Sequence, residues 1–188
     1  ASAAVGNKVN DDGRTCGTIA INGLYVINPS SHSIINECAG TITVNGGSLA
    51  RTCDVNVRVK EGTVNLSNLT INGAYRGRVA SGAHAVYVTE AKLNITDCVI
   101  CNVEGDRAVQ NRGSEVHIDG LRVYDCGGAA ICNAAGDSSW AGEGTMYISG
   151  LVTDNTCQSN AVINETEGYV EISDSKLTVK NTNTAVVN

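Results

Sequence analysis

Apolar and polar residues alternate in a short motif that recurs seven times along the chain. The copies are Thr18-Ile-Ala-Ile-Asn-Gly23, Thr41-Ile-Thr-Val-Asn-Gly46, Thr63-Val-Asn-Leu-Ser-Asn68, Lys92-Leu-Asn-Ile-Thr-Asp97, Glu115-Val-His-Ile-Asp-Gly120, Thr145-Met-Tyr-Ile-Ser-Gly150 and Tyr169-Val-Glu-Ile-Ser-Asp174. Their first apolar residues, Ile19, Ile42, Val64, Leu93, Val116, Met146 and Val170, are 23, 22, 29, 23, 30 and 24 residues apart. A period of two within each copy predicts a strand with one buried face. Recurrence at this larger spacing is the signature of a solenoid. The pattern predicts an all-β fold: a parallel β-helix of about seven coils forming a single domain over residues 1–188. At about 4.8 Å per coil such a rod is roughly 34 Å long.

Each coil reads as three strands. The first is the motif itself, with inward pairs such as Leu93/Ile95 and Val116/Ile118. A polar turn leads to a second strand, as in Leu69-Thr-Ile71 and Leu121-Arg-Val123, that ends in Asn or Asp. The third runs Ala85-Val-Tyr-Val88, Ala108-Val-Gln-Asn111, Ala130-Ile-Cys-Asn133, Ala161-Val-Ile-Asn164 and Ala185-Val-Val-Asn188. Alternation turns Val86, Val109, Ile131, Val162 and Val186 inward. It stacks Asn111, Asn133, Asn164 and Asn188 as an amide column that satisfies backbone groups. The same phase turns Ala85, Tyr87, Ala108, Gln110, Ala130, Cys132, Ala161 and Ile163 outward. Two coils are longer by about seven residues, through insertions at 74–84 and 134–144. Both border the third strand, where they would wall a shallow trough. The final coil has no capping segment after Asn188, so end-to-end or lateral self-association there is a further expectation.

Composition agrees with short strands and tight turns: 21 Gly, one Pro and no Phe. No apolar run reaches the roughly 20 residues that span a bilayer. The net charge is −6 with no basic run, which argues against a nucleic-acid partner. Eight Cys without a zinc-type pair set imply disulfides and an oxidising, extracellular compartment. Cys16 and Cys38 are one coil apart and are one candidate bridge; Cys126 and Cys157 are another. Four sequons, at Asn65, Asn68, Asn94 and Asn164, fit a secreted glycoprotein, and Ala1-Ser-Ala-Ala4 reads as a processed start.

This architecture resembles the pectate-lyase-like superfamily of right-handed parallel β-helices, with the third strand as its substrate-facing sheet. The compact polysaccharide lyase family 3 is distantly similar. Its Asp-Gly-x-His stretch corresponds to His84-Ala-Val-Tyr87, and its Glu-Asp-Ala stretch to Glu104-Gly-Asp-Arg-Ala108, with Arg112 near its following Lys. The chain departs from the family where His84 replaces a calcium-binding Asp and Arg107 replaces an acid. The later catalytic Lys and Arg positions fall near Ala129 and residues 156–159. Calcium is the metal the resemblance implies, with Glu104 and Asp106 as candidate ligands, although calcium wants a larger set of oxygens.

Elimination from a uronide needs a neutralised carboxylate and a base near the C5 proton. Hydrolysis needs two opposed carboxylates, and none pair convincingly here. The first reading is a secreted cell-wall protein that binds an acidic, pectin-like polysaccharide with weak or no lyase activity. Arg76, Arg78, His84, Arg107 and Arg112 would meet uronate carboxylates, while Tyr75, Tyr87 and Trp140 stack on sugar faces. The second is an active lyase with displaced groups, Arg107 and Arg112 being the catalytic candidates. The third is a non-enzymatic effector that anchors a host or partner protein through the same aromatic and Arg residues. Ice binding fails because Lys92, Glu115 and Tyr169 interrupt the row of Thr18, Thr41, Thr63 and Thr145. His32 and His117 read as surface residues.

Overall fold

A computed structural model describes residues 3–8, 16–52, 55–74, 84–105, 107–134, 143–154, 159–179 and 184–188. The described residues form strands and no helix, so none is a helix long and apolar enough to cross a membrane. The strands are β1 (Val5–Asn7), β2 (Thr18–Ile27), β3 (Ile34–Thr52), β4 (Val55–Ala74), β5 (His84–Thr89), β6 (Lys92–Thr96), β7 (Val99–Val103) and β8 (Arg107–Arg112). They continue with β9 (Glu115–Asp119), β10 (Arg122–Cys126), β11 (Ala129–Asn133), β12 (Thr145–Ser149), β13 (Val152–Thr153), β14 (Val162–Asn164), β15 (Val170–Ser173) and β16 (Val186–Val187).

Every pairing between these strands is parallel, and the pairings fall into three ladders. Ladder one stacks residues 18–22, 41–45 and 63–67 with β6, β9, β12 and β15. Ladder two stacks 24–27, 47–50 and 69–74 with β7, β10 and β13. Ladder three stacks β1, 34–36 and 55–59 with β5, β8, β11, β14 and β16. The chain visits the ladders in a fixed order. The register of ladder one is the one the repeats predict: Thr18, Thr41, Thr63, Lys92, Glu115 and Thr145 lie in one row.

The corner between ladders one and two has one conformation in all seven copies. Gly23, Gly46, Asn68, Asp97, Gly120, Gly150 and Asp174 each have φ between 46° and 76°. This left-handed region suits Gly, and Asn and Asp enter it at lower cost than other side chains. The corners bond to one another, as Asp97 N to Asp119 O (2.8 Å) and Gly120 N to Ser149 O (3.0 Å). A fixed corner fixes the phase of the strands on either side, so the inward residues of the three ladders meet. Leu93, Ile95, Val116 and Ile118 meet Leu69, Ile100 and Leu121, and Val57, Val86, Val109 and Ile131, all fully buried or nearly so. Each such side chain contributes about 1.5–3 kcal/mol.

The corner from ladder three to ladder one is held by asparagine. Asn111 Nδ2 donates to Asn133 Oδ1 (3.0 Å), Asn133 to Asn164 (2.9 Å) and Asn164 to Asn188 (2.7 Å). The expected column therefore forms, and it takes up the sequon residue Asn164. Each amide also donates to the backbone just ahead of ladder one: Asn111 to Ser114 O (3.0 Å), Asn133 to Gly144 O (2.9 Å) and Asn164 to Gly168 O (3.0 Å). Asn36 does the same to Gly40 O (3.0 Å), and Asn7 to Gly17 O (2.9 Å). The bond closes corners of very different length, so the 134–144 insertion leaves the register intact. Gly144 is required there, since a Cβ would collide with Asn133 and Asn111.

Several expectations are corrected. Ala85, Ala108, Gln110, Ala130, Cys132 and Ala161 are buried, although alternation turned them outward. Ala85, Ala108, Ala130 and Ala161 belong to the hydrophobic core cluster. His32 is buried, with Nδ1 2.8 Å from the Val55 carbonyl. Val186 is exposed because β16 pairs on one side only, with β14. Cys16 and Cys38 form a disulfide; Cys126 is buried, and Cys157 lies outside the described residues.

Asn133 is bonded to the columns on both sides of it and to the Gly144 carbonyl, and all of these groups are buried or half-buried. Asn133→Ala is expected to lower stability by about 3 kcal/mol, and Asn188→Ala at the exposed end of the column by under about 1 kcal/mol. Urea denaturation of the two variants checks the difference.

Candidate functional site

Ladder three gathers the cationic side chains. The register aligns Arg58 of β4 with Tyr87 of β5, Gln110 of β8 and Cys132 of β11. His84 is in register with Arg107, and Thr89 with Arg112. Strands β4, β5 and β8 thus deliver Arg58, His84, Tyr87, Arg107, Gln110 and Arg112 to one patch.

Gln110 is the hub and is fully buried. With its amide turned to satisfy both ends, its nitrogen donates to His84 Nε2 at 2.7 Å. Its oxygen accepts from Arg112 Nε at 2.9 Å and from Arg107 Nη1 at 3.3 Å. The His84 proton is then on Nδ1. The Tyr87 ring lies 5.5 Å from the His84 ring, nearly parallel to it. The guanidinium carbons of Arg58 and Arg112 lie 5.7 and 5.8 Å from the centre of the Tyr87 ring. Such cation–π contacts are worth about 0.5–1 kcal/mol each at exposed sites, and they orient the guanidinium planes. Arg107 Nη2 pairs with Glu165 at 3.1 and 3.4 Å. Arg58 Nε is buried with no hydrogen-bond partner among the described residues.

Three guanidiniums and an imidazole therefore surround one amide and one ring, in a chain of net charge −6. A guanidinium stays charged at any ordinary pH and matches a carboxylate with two parallel N–H donors. The arrangement is suited to holding an anion with a flat face.

Of the predicted site residues, His84, Tyr87, Arg107 and Arg112 are brought together. Tyr75, Arg76, Arg78, Asp106 and Trp140 lie outside the described residues. Glu104 is exposed between β7 and β8. Among the described residues no three His, Cys, Asp or Glu side chains form a group able to hold a metal ion. Sequence reasoning missed Arg58 and Glu165, and gave Gln110 no role. Arg58 was legible in principle: Val57-Arg58-Val59 is the counterpart of Val86-Tyr87-Val88, without the opening Ala that marks the later copies.

No protein-family model, no curated protein and no solved structure matches the chain. The chemistry of the patch itself is what bears on function.

Long-range proton–nitrogen spectra at neutral pH are expected to show His84 as the Nδ1–H tautomer with Nε2 accepting. Gln110→Leu should lose the Nε2 hydrogen-bond shift and lower stability by about 2 kcal/mol, since it leaves His84 and two guanidiniums without their shared partner.

Proposed function

We propose that the chain is a secreted, right-handed parallel β-helix of about seven coils, of the pectate-lyase-like kind, that binds acidic polysaccharide of the pectin type on ladder three. The observation that carries the reading is the patch around Gln110, with Arg58 and Arg112 beside the Tyr87 ring and Arg107 bonded to the Gln110 amide. Uronate chains offer a carboxylate on every residue and a C–H face on every ring, and the patch offers a partner for each. The disulfide Cys16–Cys38 supports an oxidising compartment.

The reading is of binding, with weak or no lyase activity. Arg107 and Arg112 each donate to Gln110, and Arg107 also pairs with Glu165. Guanidiniums so engaged stay protonated and neutralise charge. The base that an elimination needs is a separate requirement. Electrostatic binding of this sort weakens with salt, because the Debye length falls from about 10 Å at 0.1 M to about 3 Å at 1 M.

Electrophoresis in native gels containing polygalacturonate tests the proposal. Retardation of the wild type at low salt is expected, with Arg58→Gln and Arg112→Gln each weakening the apparent affinity about tenfold. A wild type that migrates as in a blank gel would end it. An absorbance assay for unsaturated uronide, with and without calcium, is expected to show little or no product; rapid turnover would favour the active-lyase reading.

A further inference from the structure

The fold places the four sequon asparagines in three different settings. An N-linked glycan is bulky and hydrophilic, so a folded chain keeps it only on a surface asparagine with an amide hydrogen to give up. Asn164 has none to give. Its Nδ2 donates twice, to Gly168 O (3.0 Å) and to Asn188 Oδ1 (2.7 Å). Its Oδ1 accepts from Asn133 (2.9 Å) and from Thr166 Oγ1 (3.3 Å), the hydroxyl of its own sequon. A primary amide has two N–H donors, so a sugar on Nδ2 would break either the asparagine column or the corner that leads to ladder one. It would also crowd Glu165, the partner of Arg107.

Asn65 and Asn94 are in register within ladder one, and both are half-buried. Asn94 Nδ2 donates to Asn65 Oδ1 (2.6 Å), and Asn65 Nδ2 donates to Thr43 Oγ1 (3.1 Å). Thr43 and Asn94 flank Asn65, while Asn65 and His117 flank Asn94. With strands about 4.8 Å apart, a sugar on either amide would push into this row. Asn68 differs. It sits at the left-handed corner between ladders one and two, with a φ of 52°, and it is exposed. Gly46, which has no side chain, occupies the corner on one side of it. Its Nδ2 donates to Asn45 Oδ1 (2.9 Å) and to nothing else among the described residues, so one amide hydrogen faces solvent.

We infer that Asn68 is the N-glycan acceptor of the folded protein and that Asn164 stays bare. The inference rests on the secreted part of the reading above and not on the ligand. The donor is an oligosaccharide carried on a lipid diphosphate. Asn68 Nδ2 bonds to the anomeric carbon and gives up one proton. The C–O bond to the diphosphate breaks, and the lipid diphosphate leaves. The remaining N–H keeps the bond to Asn45. Arg58, Tyr87 and Gln110 lie on ladder three, away from this corner, so the glycan leaves the cationic patch open.

The full chain, sent through a eukaryotic secretory pathway behind a cleavable leader, tests the inference. Peptide N-glycosidase in heavy-oxygen water converts each glycosylated Asn to a labelled Asp, which peptide mass spectrometry locates. In the secreted fraction Asn68 is expected to be labelled and Asn164 unlabelled. Thr70→Ala deletes the sequon and keeps Asn68 at its left-handed corner, where Gln would be strained. That variant should lose one glycan's mobility shift on a denaturing gel, a loss that is read whether or not the variant folds. Secreted protein with Asn68 bare, with Asn164 labelled, or with label at Asn65 or Asn94 in place of Asn68 overturns the inference, as does an unchanged shift in Thr70→Ala. Wild type retained in the cell without any glycan overturns the secreted reading along with it. Labelled Asn68 in a protein that polygalacturonate does not retard supports this inference while ending the binding proposal.

Discussion

Lateral register is the constraint on which the rest of the structure depends. Within each ladder a strand bonds to the strand one repeat before it and the one a repeat after it, always parallel, and only the strands at the ladder ends pair on one side. Because side chains alternate, a slip by one residue would turn every inward Val, Ile and Leu to solvent. Two devices prevent that slip. The left-handed corner between ladders one and two sets the phase at one end of the ladder-one strand. The asparagine donating to the backbone carbonyl ahead of ladder one sets it at the other. The second device is indifferent to how many residues lie between the amide and its carbonyl. Asn111 spans three residues to Ser114 and Asn133 spans eleven to Gly144, with the same bond.

Register also builds the candidate site. Arg58, Tyr87 and Gln110 sit far apart in the chain, and each comes from a different strand. Stacking puts them in one row, within reach of His84, Arg107 and Arg112. The same mechanism lines up His117 and Tyr147 on ladder one. The two rows differ in chemistry because neither belongs to the inward face that Val, Ile and Leu fill. One row collects cations around a ring; the other collects rings beside carboxylates.

Much of this was legible in the sequence, and for a physical reason. A repeat that must bury one face and turn a tight corner shows both needs in its residues: alternation, then Gly, Asn or Asp. The ladder-one register and the Asn111 to Asn188 column followed from repeat spacing, which also made Cys16–Cys38 one of two candidate bridges. The burial of ladder three's outer row did not follow. Alternation says which way a side chain points but not what roofs it, so Gln110 read as a solvent-facing residue. Arg58 was hidden because its strand, β4, runs without a break from ladder three through ladder two, and it lacks the Ala that opens the later copies. His32 was misread because a lone His after Pro29-Ser30-Ser31 carries no mark of the backbone carbonyl it meets. His117 read only as a surface residue, since neither the Glu115 contact two residues away nor the Tyr147 stack from another strand shows in local composition.

The central claim is that register assembles the proposed anion-binding patch from strands about one repeat apart in the chain. A crystal structure of the protein soaked with trigalacturonate tests it most directly. The account predicts a uronate carboxylate hydrogen-bonded to the Arg58 and Arg112 guanidiniums, with a sugar face over Tyr87 and Gln110 beneath. A saturating soak that leaves this patch without sugar, or a structure in which Arg58, Tyr87 and Gln110 do not share a row, would contradict it.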